Sequence, residues 1–94
     1  MTKYEIKNTT QFKKDYKLAK RRGLNISTLK DIVTKLANGK PLDSKHKDHP
    51  LGGNWAGHRE CHIQPDWLLI YWYDNDVLVL TLTRTGTHSD LFNL

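Results

Sequence analysis

Residues 67–83 read WLLIYWYDNDVLVLTLT, and this stretch predicts a β-hairpin. Its first seven residues are all apolar or aromatic, so both faces of a strand formed by them would be apolar. This pattern is typical of a central strand buried on both faces. Asp74, Asn75 and Asp76 then supply turn residues, and leucines occupy every second position of a further strand at residues 77–83. The sequence therefore predicts a sheet with two adjacent antiparallel strands at its centre.

A third strand is predicted just before this hairpin, at residues 58–63. Alternation places Cys61 and Ile63 on one face and His58, Glu60 and His62 on the other. Because the apolar pair suits the core, we expect the two histidines and the glutamate on a face that is at least partly open. A final helical turn is expected at residues 88–92.

Two amphipathic helices are predicted between a short first strand, residues 4–7, and a long loop, residues 40–54. Each helix has cap candidates at its start and a glycine after its end, Gly23 for the first and Gly39 for the second. Their apolar positions are Phe12, Tyr16 and Ala19 in the first helix and Leu29, Ile32, Val33 and Leu36 in the second. The loop has no periodicity and carries His49, and loops of this length are usually functional or mobile.

The element order is β-α-α-β-β-β, which predicts one α+β domain over residues 1–94. The two helices form a hairpin, which must bury its apolar positions against one face of the small sheet. The single cysteine, Cys61, excludes an internal disulfide. No apolar run approaches the roughly 20 residues that span a bilayer, and the first residues do not form a signal peptide. We therefore expect a cytoplasmic chain with no membrane partner.

Charge is divided unevenly along the chain. Residues 1–47 hold 13 Lys and Arg and four Asp and Glu, a net charge of +9, whereas residues 48–94 carry a net −4. Four of the five histidines lie in the second half. The asymmetry is compatible with a polyanionic partner and equally with a solvated lysine-rich surface.

The histidines and arginines could carry two kinds of chemistry. General acid–base groups with a cation suit metal-independent cleavage of RNA, and histidine serves either proton role because its unperturbed pKa is about 6.5. A metal site is disfavoured, since His58 and His62 would lie about 13 Å apart on a strand. No cysteine pair or cofactor-binding motif is present, so we expect no metal and no cofactor. Scattered surface histidines remain the alternative.

Three segments, taken together, resemble a known family. They are KDHPL with the following glycines and tryptophan (residues 47–57), RECHIQPDWLLIY (residues 59–71) and RTGTHSDLF (residues 84–92). The early FKKDYKLA segment (residues 12–19) is also similar. In this order and spacing they look like the YafQ branch of the RelE toxin superfamily. These proteins are mRNA interferases of bacterial toxin–antitoxin pairs, and the resemblance implies a RelE-like fold of two helices on a twisted, mainly antiparallel sheet.

The resemblance also implies the residues of the active site. His49 and His62 match two catalytic histidines, and Asp66 matches a catalytic aspartate. Arg84 matches an arginine that contacts phosphate, and His88 matches the strongest candidate for the general acid. These roles follow from the matching positions, since spacing alone does not assign them.

Further residues are expected to bind RNA. Trp67 matches a position that shapes the site, and Phe92 matches a terminal aromatic that orients a nucleotide. The first helix presents a basic surface comprising Lys13, Lys14, Lys17, Lys20, Arg21 and Arg22. It would hold ribosomal RNA through phosphates. We expect Trp55 and Trp72 to be packing residues and assign no role to His58.

The implied function is a ribosome-dependent endoribonuclease toxin that cleaves mRNA in the ribosomal A site. Its implied partner is an acidic, DinJ-like antitoxin with a ribbon-helix-helix domain, through which alone the toxin would reach operator DNA. Two alternatives stay open. One is a non-enzymatic superfamily toxin that inhibits a protein such as gyrase, and the other is a plain RNA-binding module.

Overall fold

A computed structural model describes residues 2–92, which form a five-stranded sheet and three helices. The strands are β1 (Glu5–Asn8), β2 (His49–Pro50), β3 (Arg59–Gln64), β4 (Trp67–Asp74) and β5 (Val79–Gly86). The helices are α1 (Thr10–Arg21), α2 (Ile26–Ala37) and α3 (His88–Phe92), and two 3-10 turns lie at Ser44–His46 and Gly53–Trp55. No helix within residues 2–92 is long and apolar enough to cross a membrane.

The sheet is mixed, with the strand order β1-β5-β4-β3-β2. The first strand runs parallel to β5, and the other three pairings are antiparallel. This arrangement confirms the predicted α+β class and the mainly antiparallel sheet. β4 lies at the centre, which explains why its sequence is apolar on both faces.

The helical hairpin is formed by local capping and one shared core. The side chain of Thr9 accepts a hydrogen bond from the backbone N–H of Phe12, and Asn25 caps α2 in the same way through Ser27. Gly23 turns the chain between the helices with a positive φ of 76°. The core contains the buried apolar residues Phe12, Ala19, Leu29, Ile32, Leu36, Cys61, Ile63, Leu69, Tyr71, Leu80 and Leu82.

The second strand of the predicted hairpin, expected at residues 77–83, is shifted along the chain. β5 begins at Val79 instead of residue 77, because Val77 and Leu78 belong to the turn and are exposed. It also continues to Gly86, beyond the predicted end at residue 83. A bulge makes this possible, since Tyr71 pairs with Leu82 while Ile70 pairs with Arg84. A strict two-residue period could not show that extra residue.

The predicted loop at residues 40–54 is more ordered than its sequence suggested. It contains a 3-10 turn and the two-residue strand β2, in which His49 pairs with Glu60. Two residues are too few to display a period, so this fifth strand was not predicted. His49 thus lies on a sheet edge and not on a free loop.

The sheet face opposite the helices is covered in part by a second small core. Leu68, Ile70 and Leu91 are buried there, with Leu51, Trp55 and Phe92 packed against them. Glu60 pairs with Ile70, and His62 pairs with Leu68, so both lie on this face as predicted. Glu60 is nevertheless buried, which corrects the expectation that this face is open at that residue.

Candidate active site

His88 and Asp66 are in direct contact at one end of the sheet. Asp66 lies in the turn between β3 and β4, and His88 is the first residue of α3. One oxygen of Asp66, Oδ1, accepts the backbone N–H of His88 at 3.0 Å and lies 2.6 Å from Nδ1 of its ring. These hydrogen bonds, the backbone one first, lower the pKa of Asp66. An ionised carboxylate only accepts, so Nδ1 carries the proton, and Nε2 has no hydrogen-bond partner among residues 2–92.

The position of α3 is set by Asp90. Its carboxylate accepts the backbone N–H of Thr87, while its own N–H donates to the Thr87 hydroxyl, a reciprocal capping arrangement. Arg22 at the end of α1 donates to the same carboxylate at 2.6 Å and lowers the pKa of Asp90 to about 2. The Arg22–Asp90 pair therefore holds α3, the helix that carries His88, against the helical hairpin.

Gly86 is required for this packing. A Cβ added there would lie 2.9 Å from both Cβ and Oδ2 of Asp90. The absence of a side chain at residue 86 thus lets the start of α3 approach the end of β5.

Glu60 lies between two of the predicted histidines. Its Oε1 is 3.5 Å from Nε2 of His49 and 3.5 Å from Nε2 of His62, and its side chain is only 6% exposed. The strand pairing explains the geometry, because His49 is directly opposite Glu60 and His62 is two residues further along β3. Glu60 was placed on this face by its sequence pattern but was not predicted as a site residue.

Backbone carbonyls orient two histidine rings, those of His49 and His46. Nδ1 of His49 is 2.6 Å from the carbonyl oxygen of Lys47, and Nδ1 of His46 is 2.7 Å from the carbonyl oxygen of His62. Since a carbonyl only accepts, both Nδ1 atoms carry protons. Nε2 of His49 is thereby left unprotonated in the neutral ring and faces Glu60.

The segment before His49 is fastened to the sheet by Asp48. Its carboxylate accepts the hydroxyl of Tyr71 at 2.6 Å and Nε of Arg59 at 3.3 Å. Burial, aided by Asp48, raises the pKa of the Tyr71 hydroxyl, which stays a donor. This anchor holds the β2 edge in place.

Three histidines form a row on this face. The ring centroids of His49 and His62 are 6.4 Å apart, and those of His62 and His88 are 5.6 Å apart. His62 is in the middle, with Glu60 near one end and Asp66 at the other. Four of the five predicted catalytic residues, His49, His62, Asp66 and His88, are therefore brought together.

Arg84, the fifth, is paired elsewhere. Its Nε and Nη2 donate to the two carboxylate oxygens of Asp15 in α1, at 3.1 and 3.0 Å. Asp15 is buried and also accepts hydrogen bonds from the Thr85 backbone and the Gln11 side chain. This pairing raises the pKa of Arg84. The Arg84 side chain as a whole is 25% exposed, so part of it remains open to solvent.

The residues expected to bind substrate are spread over both faces. Trp67 is buried, 2% exposed, and its indole N–H donates to the hydroxyl of Thr85. Because the Trp67 side chain is buried, it can shape the site only by packing beneath it. Phe92 is half-buried and packs edge-on against Trp55. Lys13 and Lys17 line a groove of about 670 Å³ between α1, α2 and β1, whose floor is apolar.

The sequence missed several residues that support the site, namely Asp15, Arg22, Asp48, Glu60 and Asp90. Asp15 had a usable signal, because it lies three residues after Phe12 and four before Ala19 on the buried face of α1. The alternation of β3 placed Glu60 beside His62, whereas the pairs Arg22–Asp90 and Tyr71–Asp48 join residues 68 and 23 positions apart and had no local signal. Within residues 2–92 no three His, Cys, Asp or Glu side chains form a group that could hold a metal ion.

Comparison with known proteins defines the class. Residues 4–93 match the family described as "Bacterial toxin of type II toxin-antitoxin system, YafQ". The chain belongs to this family. It is 43% identical over 93 residues to the mRNA interferase toxin YafQ of Escherichia coli K12, which covers 98% of this chain and 99% of that protein.

Solved structures agree with the assignment. The toxin in the DinJ–YafQ toxin–antitoxin complex of E. coli is 43% identical and matches with a TM-score of 0.87 over 96% of this chain and 98% of that one. A toxin from Helicobacter pylori, described as metal-bound, is 40% identical and matches with a TM-score of 0.90 over 98% of this chain and 100% of that one. These matches confirm the RelE-like fold.

Proposed function

We propose that this chain is the endoribonuclease toxin of a type II toxin–antitoxin pair and that it cleaves mRNA in the ribosomal A site. The observation that carries the proposal is the pairing of His88 with Asp66. It fixes a ring whose Nε2 is free to transfer a proton, next to two further histidines. The curated E. coli relatives named as mRNA interferases support the substrate class.

The reaction that suits these groups is an internal transfer at the scissile phosphate. A base removes the proton from the 2′-OH, and the 2′-oxygen forms a bond to phosphorus. The bond from phosphorus to the 5′-oxygen breaks, and an acid protonates that oxygen. The products are a 2′,3′-cyclic phosphate and a free 5′-OH, with no net change in protons.

His88 suits the role of acid because its protonated ring can donate from Nε2 while Asp66 holds Nδ1. His49 and His62 suit the role of base and its support. Their Nε2 atoms converge on Glu60, and the carboxylate can stabilise a proton taken up by either ring. Coupled rings of this kind share their titration, so the base is assigned to the pair.

Arg84 would stabilise the charge that gathers on the phosphate oxygens. Asp15 occupies two of its five N–H donors and holds the guanidinium plane, which leaves donors for a phosphate. In this proposal Trp67 shapes the site by packing behind it, and Phe92 orients a nucleotide.

The basic surface on α1 is proposed to hold ribosomal RNA and, alternatively, the antitoxin. Lys13 and Lys17 border an apolar groove, so an acidic helix with an apolar stripe would complement it. Arg22 contributes less than its sequence suggested because Asp90 pairs with it. The antitoxin proposed is DinJ-like, with a ribbon-helix-helix domain that alone contacts operator DNA, and the toxin would act in the cytoplasm.

The test is growth arrest combined with mapping of new 5′ ends by primer extension. His88→Ala, His49→Ala and His62→Ala should each reduce both, whereas Val77→Ala, at an exposed turn residue, should not. Full toxicity in all three histidine variants would overturn the proposal. Arrest with intact mRNA and inhibited gyrase would favour the non-enzymatic alternative, and ribosome association without cleavage would favour a plain RNA-binding module.

A further inference from the structure

Four aromatic rings form a continuous row on the sheet face that carries the histidines. The centroids of Trp72 and His58 are 6.4 Å apart, those of His58 and Trp55 are 5.4 Å apart, and those of Trp55 and Phe92 are 6.5 Å apart. Each ring meets the next edge to face. All four side chains are half-buried, so each keeps some surface in contact with solvent.

The row is continuous with the candidate active site. Phe92 lies four residues after His88, one turn along α3. Trp72 lies on the same face of β4 as Leu68 and Ile70, which pair with His62 and Glu60. The row therefore starts beside the proposed acid and leads away from the three histidines along the sheet.

Packing alone does not account for the outer half of the row. Trp55 and Phe92 pack on the second core, but Trp72 and His58 are not part of it. Nδ1 of His58 is buried without a hydrogen-bond partner among the described residues. An unpaired buried nitrogen costs stability, and an apolar residue would fill the same space without that cost.

We propose that the row Trp72–His58–Trp55–Phe92 is a stacking track for unpaired bases of the RNA on one side of the scissile phosphate. The inference rests on the proposed function for its substrate and adds three residues to which the family resemblance gave no role. Stacking on aromatic rings tolerates any base, because every base has a π face. The track would therefore contribute affinity and position the chain without choosing the codon.

The indole signals of the wild-type protein give the first test. The chain has three tryptophans, and Trp67 is buried at 2% exposure, so its indole N–H serves as an internal control. Titration with an eight-nucleotide single-stranded RNA bearing 2′-O-methyl riboses, which cannot be cleaved, should shift the indole signals of Trp55 and Trp72. The signal of Trp67 should move least. Binding of the RNA with no movement of Trp55 and Trp72 would overturn the proposal.

Variants give the second test. Trp72→Leu should weaken binding of the same RNA about five- to 140-fold, since one base–aromatic stack is worth about 1–3 kcal/mol and 1.4 kcal/mol is tenfold. Trp72→Phe, which keeps a π face, should bind nearly as well as wild type, and Val77→Ala should bind equally well. Thermal unfolding of each variant checks that the fold is kept.

The outcomes separate this proposal from the proposed function. Unchanged RNA affinity in a folded Trp72→Leu would overturn the track even if His88→Ala abolishes cleavage. Loss of antitoxin affinity in Trp72→Leu with full RNA affinity would assign the row to a protein interface and also overturn it. Indole shifts with RNA in a chain that cleaves nothing would support the track and contradict the enzymatic function.

Discussion

Asp66 holds His88 through one carboxylate oxygen that contacts both the backbone N–H and the ring Nδ1 of the histidine. The first contact fixes where α3 begins, and the second fixes which ring nitrogen is protonated. A turn residue between two strands thus sets the chemistry of a residue 22 positions later.

Asp66→Asn should lower the cleavage rate by roughly 10²-fold or more, because the amide can donate to Nδ1 and stabilise the wrong tautomer. The Asp66 side chain is 65% exposed, so the free energy of unfolding should change little. Single-turnover cleavage and chemical denaturation check the two parts. If the variant lost activity only to the extent that it is unfolded, the role of Asp66 would be structural only.

The pKa of Asp66 provides a test that needs no substrate. His88 lowers the pKa of Asp66. The stabilisation that the ionised carboxylate gains from this contact is therefore fully present above the ordinary aspartate pKa of about 3.9 and is lost as the pH falls through the lowered pKa. His88→Ala should raise the pKa of Asp66 part of the way toward that ordinary value, because the backbone N–H of residue 88, the larger cause, remains. A carboxyl-carbon NMR titration measures it, and an unchanged pKa would contradict the contact.

Asp90→Asn should make the protein less sensitive to acid while lowering its stability at neutral pH. The pKa of Asp90 is lowered to about 2, so its contribution is present above pH 4 and is lost between about pH 4 and 2. The pair is partly exposed and should contribute roughly 0.2–1 kcal/mol. Thermal unfolding at pH 7 and pH 3 tests this, with exposed Asp76→Asn as the control. A variant as stable as wild type at pH 7 would contradict it.

Gly86→Ala should reduce cleavage by displacing α3, since the new Cβ would meet Asp90 at 2.9 Å. Gly52→Ala is the matched control, because nothing lies within 4 Å of a Cβ there and its φ is −120°. The control should be neutral or slightly stabilising. Cleavage rates and unfolding curves of the two variants test this prediction. Equal cleavage rates in Gly86→Ala and Gly52→Ala would contradict it and would show that α3 tolerates the shift.

Asp15→Asn should destabilise the fold by about 1.5–3 kcal/mol, the usual value of hydrogen bonds to a charged group. Asp15 is buried and joins α1 to Arg84 and the Thr85 backbone in β5. Asp31→Asn, exposed on α2, is the control. Urea denaturation measures the difference, and a change equal to that of the control would contradict the pairing.

Local patterns in the sequence predicted the parts of the fold that depend on neighbours in the chain. The central hairpin, both long helices and the face of Glu60 and His62 are set by alternation and helical spacing. The bulge near Thr83 and the two-residue strand β2 were missed because neither has a period to detect.

The candidate site was likewise predicted only in part. The histidines could be named from motifs, and their assembly into a row required the observed strand pairing. The pairs Arg84–Asp15 and Arg22–Asp90 join residues 69 and 68 positions apart, so no local signal could predict them. The burial of Trp67 similarly follows from β4 lying at the centre of the sheet.

The most direct test of the central claim is the chemistry of the cleaved ends. Purified wild-type protein should cleave ribosome-bound mRNA and leave a 2′,3′-cyclic phosphate and a 5′-OH. His88→Ala should be folded and slower by roughly 10²–10⁴-fold. Fragments with a 5′-phosphate and 3′-OH, or cleavage at the wild-type rate by folded His88→Ala, would contradict the account.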